Sequence, residues 1–460
     1  MRVLLILAFT ILSSCVSIMD SDLLVQSTSV PKEFIIKDSL VFNGFKFIKG
    51  QDVWIKNGSI HALGENLKSE SNVTVINGAG KTLMPGLIDM HTHLFSAGAP
   101  PWRTTMGDAE RTLSANLAVG VTSVLDMAAP LGDVSSWNNE TDIQLPRFAY
   151  AGTIFNVEGG HPSYMIEASI FWPLSKVFKS LLISEISSLV DAKQHIDEHK
   201  KAGVSFIKIV FDEIPLGSPM IDDDLLAGIV KYAKEQGLKT VAHIGTEQDI
   251  LAGVKAKLDL FVHGVYRSNF SEKALKALKE SGIPVVPTAV VWDQLAKFYD
   301  NSVVFNDMEL FVLDSEIAKA YANRPTELKL DDAVLAWFEA VKRHKKTKFD
   351  VIDAMYQYGI PLFVGSDSPN IGNVSGASVH KELSLWQANT SIPVAEILAA
   401  ATGNSGQWLE NYLGWKVGQI KVGYDADLLL INGDLSKDVS LSKNISAVWI
   451  FGQAVSTSWY

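Results

Sequence analysis

The sequence predicts an α/β protein whose largest part is a (β/α)₈ barrel, the TIM-barrel architecture, joined to a small β-sandwich-like domain. The first observation is that apolar runs of strand length alternate with amphipathic helical stretches through the middle of the chain. The second is that β-type runs with turn dipeptides occur near both termini. The third is that polar residues recur at the ends of the central strands, where barrel enzymes build their sites.

The composition suits a globular protein with a large core, since 47% of the 460 residues are hydrophobic and 20% are charged. The formal net charge is -11, and no block of clustered lysine and arginine appears. A phosphate-binding surface needs such clusters, so nucleic acid is not expected as a partner. The sequence carries no signal for the oligomeric state.

The first residues have the pattern of an export signal. Arg2 precedes an apolar stretch, Val3 to Leu12, that is shorter than the roughly 20 residues of a membrane span. Leu-Ser-Ser-Cys then resembles a bacterial lipobox, and Cys15 is the only cysteine. We expect residues 1–14 to be a signal peptide and the exported protein to be anchored to a bacterial membrane through lipidated Cys15 alone. An ordinary cleaved signal is the alternative.

The small domain is predicted from both ends of the chain. Residues 15–30 are polar and Ser-rich in their later part and are predicted to be a tether. Three Asn-Gly dipeptides, which suit tight hairpin turns, break the β-type runs of residues 31–83. Because similar runs return over 415–460, we predict that the two segments form one composite β domain, which leaves 84–414 for the barrel.

Strand-type runs in the central part account for the barrel, and amphipathic stretches lie between them. The runs are 87–90, 121–126, 147–151, 204–210, 239–243, 260–263, 283–287 and 361–365. Two intervals, 153–183 and 290–349, are too long for simple connections. The second is rich in aromatic residues, which suit either ordinary helical packing or a substrate-covering lid over about 291–348.

Two histidines, His91 and His93, end the first run in the stretch MPGLIDMHTHL. Side chains of a strand alternate between its faces, so both are expected to point to the same side, into the barrel mouth. Two ligands of one metal ion need such an arrangement. Taken alone, the pair fits surface or core histidines better.

Lys208 lies inside the fourth run, VSFIKIVFD, which should be buried on both faces. An unpaired ammonium group there is costly or loses its proton. One interpretation pairs Lys208 with Asp212 or Glu213 at the strand end. The other is that the neutral amine has reacted with carbon dioxide, so that N6-carboxylated Lys208 is an anion able to bridge two cations.

Three more polar residues lie at strand ends. His243 ends the fifth run, His263 ends the sixth, and Asp367 follows the eighth. Each alone has an ordinary structural explanation as a buried histidine or a loop acid. Together with the earlier residues they predict one metal site at the C-terminal ends of the strands.

These motifs, in this order, resemble those of the amidohydrolase superfamily. The matching stretches are LMPGLIDMHTHL, FIKIV, TVAHIG, FVHGV, VGSDSP and GQIKVGYDADLLLINGD. The chain is most similar to the imidazolonepropionase-like group, which includes metal-dependent dipeptidases acting on Xaa-Pro and related dipeptides. EGGHP, with His161, resembles the Gly-Gly-His substrate loop of that group, although Pro162 departs from the usual glycine.

The resemblance implies two divalent metal ions that share carboxylated Lys208. Nitrogen and oxygen ligands without thiolates favour Zn²⁺. The other implied ligands are His91, His93 and Asp367 for the first ion, and His243 and His263 for the second. A hydroxide held between the ions would attack the scissile carbonyl.

The resemblance also gives Asp367 a catalytic role, in which it takes the proton of the attacking water and passes it to the departing amine. His161 would hold the carbonyl oxygen as charge develops there. Beside His263, Tyr266 and Arg267 are predicted to bind substrate, with the guanidinium of Arg267 on a carboxylate. The predicted function is hydrolysis of a carbon–nitrogen bond in an amide, a peptide or a cyclic amide, and a dipeptidase-like activity is favoured.

Two other functions stay open. A single-metal deaminase of the same superfamily lacks a lysine ligand in the fourth strand and usually carries a glutamate near the sixth, whereas this chain has Lys208 and no glutamate beside His263. A lipid-anchored binding protein that keeps a metal site without catalysis is the second alternative, and an assay is needed to separate it from an enzyme.

Overall fold

The structure is a computed structural model that describes residues 17–19, 22, 24–27, 33–68, 73–132, 144–169, 174–328, 332–344 and 346–460. The predicted signal peptide, residues 1–14, and Cys15 lie outside the described residues, as does part of the predicted tether. Among the helices of this described part, none is long and apolar enough to cross a membrane.

Strands and helices are mixed along the chain, which confirms the predicted α/β class. The strands are β1 (Ser17–Ile18), β2 (Gln26–Ser27), β3 (Glu33–Lys37), β4 (Leu40–Phe42), β5 (Phe47–Ile48), β6 (Asp52–Lys56), β7 (Ser59–Gly64), β8 (Thr74–Asn77), β9 (Lys81–Pro85), β10 (Leu87–Thr92), β11 (Thr105–Met106), β12 (Val121–Asp126), β13 (Arg147–Tyr150), β14 (Ile154–Asn156), β15 (Ile183–Glu185), β16 (Phe206–Val210), β17 (Lys239–His243), β18 (Leu260–Val262), β19 (Val285–Val286), β20 (Leu428–Asn432), β21 (Ile445–Ile450) and β22 (Gln453–Ser456).

The helices begin after β11 and fill the central part of the chain. They are α1 (Ala109–Ala118), α2 (Ser163–Ser169), α3 (Leu174–Leu182), α4 (Leu189–Ala202), α5 (Asp223–Glu235), α6 (Glu247–Ala256), α7 (Glu272–Ser281), α8 (Ala289–Tyr299), α9 (Asp307–Val312), α10 (Ser315–Ala322), α11 (Asp332–Arg343), α12 (Thr347–Gln357), α13 (Ala377–Asn389), α14 (Val394–Ala400) and α15 (Gly403–Leu413), with a 3₁₀ helix at Val439–Lys443.

Strands from both ends of the chain pair in one sheet, in the order β2-β22-β21-β20-β9-β4-β5. Within it, β20 runs antiparallel to β9 and places Leu429 opposite Met84. A four-stranded sheet, β7-β6-β3-β8, comes from the N-terminal segment alone. Apolar side chains of the two sheets pack together, and the rings of Phe34 and Trp449 stack with centroids 5.6 Å apart. The bounds of a separate β domain stay a prediction.

The central strands are parallel and follow one another in two sheets. One has the order β10-β12-β13 and the other β15-β14-β16-β17-β18-β19. A hydrogen bond also links the two sheets. The amide of Ser205, just before β16, donates to the carbonyl of Tyr150, at the end of β13, at 2.8 Å. Residues 361–368 bond to β19 on one side and to β10 on the other. The carboxyl ends of the parallel strands therefore lie on one side of the protein.

The eighth predicted run, 361–365, makes isolated bridges instead of a strand. The amide of Val364 donates to the carbonyl of Ala400, at the end of α14, at 3.1 Å. That bond takes a donor away from the strand ladder and interrupts it. The interval 153–183, which is too long for a simple connection, contains β14 and leads into β15, and these two strands pair in parallel across α2 and α3.

The interval 290–349 is helical and includes most of α8 through the start of α12, apart from residues 329–331 and 345, which lie outside the described chain. Aromatic side chains of α8 and α11 are buried in one cluster, in which Trp292 and Trp337 have ring centroids 6.1 Å apart. Helical packing therefore accounts for these aromatic residues. Movement of the segment as a lid stays a prediction.

Candidate metal centre

The two histidines at the end of β10 converge on one acidic side chain. Nε2 of His91 lies 3.2 Å, and Nε2 of His93 2.9 Å, from Oδ1 of Asp367. The two Nε2 atoms are 3.3 Å from each other. Burial lowers the pKa of His91 to about 3, so its ring is neutral near pH 7, which is the protonation state that binds metal.

His263, just after β18, joins this group from the far side of the strand series. His91, His263 and Asp367 are buried, and each offers a ligand atom within 4.8 Å of the others. His243 adds a fourth ring, with its centroid 4.0 Å from that of His263. Residues distant in sequence therefore supply one cluster of nitrogen and oxygen donors.

The backbone is strained at two of these positions. His263 has φ 79° and Asp367 has φ 55°, both in the left-handed region. Such a conformation is unfavourable for residues other than glycine, and it persists where the surrounding structure enforces it, often at functional sites. The amide of Asp367 donates to the carbonyl of His91 at 2.7 Å, which helps to fix this geometry.

Lys208 lies in β16, every residue of which is buried, and is itself 2% exposed. Burial lowers its pKa to about 7, although the nearby Asp367 acts in the opposite direction. A substantial fraction of the amine is therefore neutral near pH 7. Within the described residues, no ion pair joins Lys208 to Asp212 or to Glu213, so the geometry does not support the paired interpretation.

Asp212 instead supports His243. Its carboxylate accepts a hydrogen bond from the Tyr266 hydroxyl at 2.6 Å, forms an ion pair with Arg267, and lies 3.3 Å from Nε2 of His243. Burial would raise the pKa of Asp212, but the contacts with His243 and Arg267 lower it to about 2. A carboxylate that is always ionised can orient a ligating imidazole.

The predicted substrate-binding pair lies in this supporting network. Arg267 is committed to Asp212, while the ring of Tyr266 stacks on Trp292 with centroids 3.7 Å apart. Neither residue lines the cavity described below. Their direct contact with a substrate stays a prediction.

Two further supports were not identified from the sequence. The Oγ1 atom of Thr288 lies 2.8 Å from Nδ1 of His263. Nδ2 of Asn370 donates to Oδ2 of Asp367 at 3.2 Å. Thr288 comes just after the seventh predicted run and Asn370 shortly after the eighth, so the pattern of polar residues beyond strand ends was the signal that could have revealed them.

His161 approaches the cluster from the loop after β14. Its ring centroid lies 5.4 Å from that of His243, and burial lowers its pKa to about 3, so the ring is neutral. Nδ2 of Asn156 donates to the carbonyl of His161 and holds the loop. The loop needs glycine at 160, because a Cβ there would lie 2.5 Å from Nδ2 of Asn156.

A cavity of about 480 Å³ opens above the donors. His161, His243 and Asp367 line its inner end. Its walls are largely aromatic and aliphatic, and the larger of these side chains are Trp102, Trp292, Leu295, Phe298, Trp337 and Phe338. Such a concave, mostly apolar space with a few convergent polar groups is typical of a small-molecule site.

The sequence pattern of the amidohydrolase family matches residues 82–455, a span that includes every predicted metal ligand. The chain belongs to the amidohydrolase family. It is therefore an enzyme of the class that hydrolyses carbon–nitrogen bonds, and the alternative of a binding protein without catalysis is set aside.

Three similar proteins are distant in sequence, and each alignment spans most of this amidohydrolase. Imidazolonepropionase of Vibrio cholerae serotype O1 is 21% identical over 411 residues, which are 88% of this chain and 92% of the relative. A solved Xaa-Pro dipeptidase with bound methionine is 19% identical with a TM-score of 0.70, covering 92% of this chain and 99% of the other. A prolidase complexed with N-methylphosphonate-L-proline is 20% identical with a TM-score of 0.71, covering 93% and 100%. At these identities the two structures show a shared fold.

Proposed function

We propose that this amidohydrolase is a metal-dependent, dipeptidase-like enzyme that cleaves an amide or peptide bond of a small substrate. The observation that carries the proposal is the convergence of His91, His263 and Asp367 within 4.8 Å, beside the inner end of a substrate-sized cavity. The printed names of two solved neighbours, an Xaa-Pro dipeptidase and a prolidase, favour a peptide-type bond, and cleavage of a cyclic amide stays the alternative.

The donor set fits divalent cations. The predicted ligands are buried or partly buried nitrogen and oxygen donors without a thiolate, which favours Zn²⁺. We propose two ions, which N6-carboxylated Lys208 would help to hold. The other ligands are His91, His93 and Asp367 for one ion, and His243 and His263 for the other. When bound, the ions would supply hydroxide near neutral pH and polarise the carbonyl.

Asp367 is placed to move the proton. Burial would raise its pKa, but the contacts with His91 and His93 hold it well below the ordinary value, so the carboxylate is ionised at neutral pH. It can accept the proton of the attacking water at one oxygen while Asn370 holds the other, and then pass that proton to the departing amine.

His161 is placed to act on the carbonyl oxygen. It lines the cavity beside His243, and its Nδ1 atom makes no hydrogen bond within the described structure. A neutral imidazole keeps one N–H, which can donate to the oxygen as negative charge develops on it. The same contact would orient the substrate before the bond is broken.

We further propose that the parallel strands close into a (β/α)₈ barrel over 84–414. The hydrogen bonds of residues 361–368 to β10 and β19, and the bond between Ser205 and Tyr150, support closure. Segments 31–83 and 415–460 would form the separate β domain, and strand pairing between β9 and β20 supports it.

Export and lipid anchoring at Cys15 are also proposed. Incorporation of labelled palmitate that is lost in Cys15→Ser would support the anchor. Equal labelling of both proteins, or none in either, would contradict it.

Hydrolysis of a substrate library tests the proposed function. Zinc-loaded protein from cells grown with bicarbonate is assayed against dipeptides, blocked dipeptides, N-acyl amines and cyclic amides, with Lys208→Ala as the blank. We expect amine release by the wild-type protein only. Inertness of metal-replete protein toward every amide, lactam and ester in the library would contradict the proposal.

A further inference from the structure

The cavity has an aromatic wall that reaches from its mouth to the metal ligands. The ring of Trp292, on α8, lies edge-on to that of His263 with centroids 5.3 Å apart. Trp337, on α11, follows at 6.1 Å, and its neighbour Phe338 at a further 5.1 Å. These side chains are buried and fixed by their mutual contacts, so the wall exists before a substrate arrives.

The charged side chains of the cavity lining are acidic. Asp367 lies at the inner end, and Glu327 is exposed at the mouth. Among the lining residues that the structure describes, none is a lysine or an arginine. Apart from the proposed metal ions, the described side chains of the lining therefore offer no cation to an anionic group of a substrate.

Two arginines near the cavity, Arg267 and Arg324, are engaged elsewhere. Arg267 forms the ion pair with Asp212. Arg324 donates to the carbonyl of Phe298 at 2.6 Å and lies 4.8 Å from the centre of that ring, in a neighbouring cavity that shares Trp102 and Phe298 with the first. Recruiting either guanidinium would break contacts that hold the metal ligand or the cavity wall.

We propose that the preferred substrate is an amide that carries a bulky aromatic or branched aliphatic group and no free carboxylate beside the scissile bond. The bulky group packs against the wall of Trp292, Trp337 and Phe338. A carboxylate packed against this wall would lose its hydration without gaining a cationic partner among the described side chains, which costs free energy. The inference rests on the proposed function for the bond cleaved and narrows its substrates from free dipeptides to uncharged amides.

A matched pair of substrates tests the preference. 3-Phenylpropanoyl-proline and 3-phenylpropanoyl-pyrrolidide share the acyl group and the scissile tertiary amide, and differ only in the carboxylate. We expect kcat/KM of zinc-loaded enzyme to be about tenfold or more higher for the pyrrolidide. Equal values, or a higher value for the proline compound, would overturn the inference.

Binding measurements separate this inference from the proposed function. The Kd of each compound for zinc-loaded Asp367→Asn protein can be followed by tryptophan fluorescence, because Trp292 and Trp337 line the cavity. Tighter binding of the pyrrolidide without turnover of either compound by the wild type would support the inference and contradict the proposed function. Tighter or equal binding of the proline compound would overturn the inference, whatever the turnover.

A cation introduced into the lining gives an independent test. Val334 is half-buried on α11 and faces the cavity. In Val334→Arg we expect the affinity ratio to shift by about tenfold toward the proline compound, whereas Val334→Met, which adds length without charge, should leave the ratio unchanged. If folded Val334→Arg keeps the wild-type ratio, the substrate does not occupy this cavity and the inference fails.

Discussion

The two ends of the cavity come from different parts of the fold. The inner end consists of side chains at the ends of parallel strands, and several of them have polar neighbours, as Asp212 lies 3.3 Å from Nε2 of His243. The outer end consists of aromatic side chains on α8 and α11, which are held by packing. Under the proposed function, the strand ends would determine the reaction, and the helices between strands would determine which molecule is accepted.

Loss of the proposed proton acceptor, Asp367, should have the largest effect of these changes. That effect should be confined to the reaction at the inner end of the cavity. We expect Asp367→Asn to lower kcat by roughly 10³-fold, because general acid–base catalysis contributes on that order. Metal content should persist, since the amide oxygen can still bind an ion. Asp259→Asn, which breaks a partly buried ion pair with Lys239 at the opposite end of β17, is the control and should keep activity. An active Asp367→Asn protein would refute the proton-transfer role.

The stability of the protein should depend on pH because of Glu382, which lies beside the start of a helix of the outer end. This buried carboxylate on α13 accepts from the amides of Ala289 and Val290 at the start of α8. Burial raises the pKa of Glu382 from 4.5 to about 7, so the folded protein favours the protonated carboxyl group. The contribution of Glu382 to the free energy of unfolding is therefore complete below pH 4.5 and is lost as the pH rises through about 7. Relative to Glu382→Gln, the wild type should lose on the order of 3 kcal/mol over that range. Urea unfolding at several pH values measures this, and parallel pH curves for the two proteins would show that Glu382 does not titrate as proposed.

The support of His243 should matter for metal affinity at the inner end. Asp212→Asn should weaken zinc binding by about 10- to 100-fold, as removal of such a carboxylate partner commonly does. Arg267→Met should also weaken zinc binding, because Asp212 loses the ion pair that holds it in place. If Arg267 acts only through Asp212, the change should affect neutral and anionic substrates equally. Competition with a chelator measures the affinity. A KM increase limited to carboxylate substrates in Arg267→Met would instead support the substrate role predicted for Arg267.

A change in the aromatic wall should have the smallest effect and should leave the chemistry intact. Phe338→Leu removes roughly 1 kcal/mol of apolar contact with a bulky substrate, so KM should rise about fivefold. We expect kcat and zinc content to stay close to the wild-type values. A large fall in kcat without a change in KM would mean that the wall and the metal ligands do not act separately.

The inner end was the more predictable of the two from the sequence. A lysine inside an apolar strand and histidines at successive strand ends have few structural explanations in combination, and Lys208 is indeed buried. The contact between Asp212 and Tyr266 was not predictable, because it joins residues 54 positions apart in a network that no local pattern reveals. The aromatic wall was visible only as composition, since helical packing and substrate binding favour the same residues.

Anomalous diffraction at the zinc edge, from protein produced with zinc and bicarbonate, would show whether the strand ends hold two zinc ions and a carboxylated lysine. We expect two peaks at the carboxyl ends of the strands, one beside His91 and His93 and one beside His243 and His263, with additional density on Nζ of Lys208. Two outcomes would contradict this expectation. One is the absence of both peaks, and the other is zinc bound at other positions together with an unmodified Lys208.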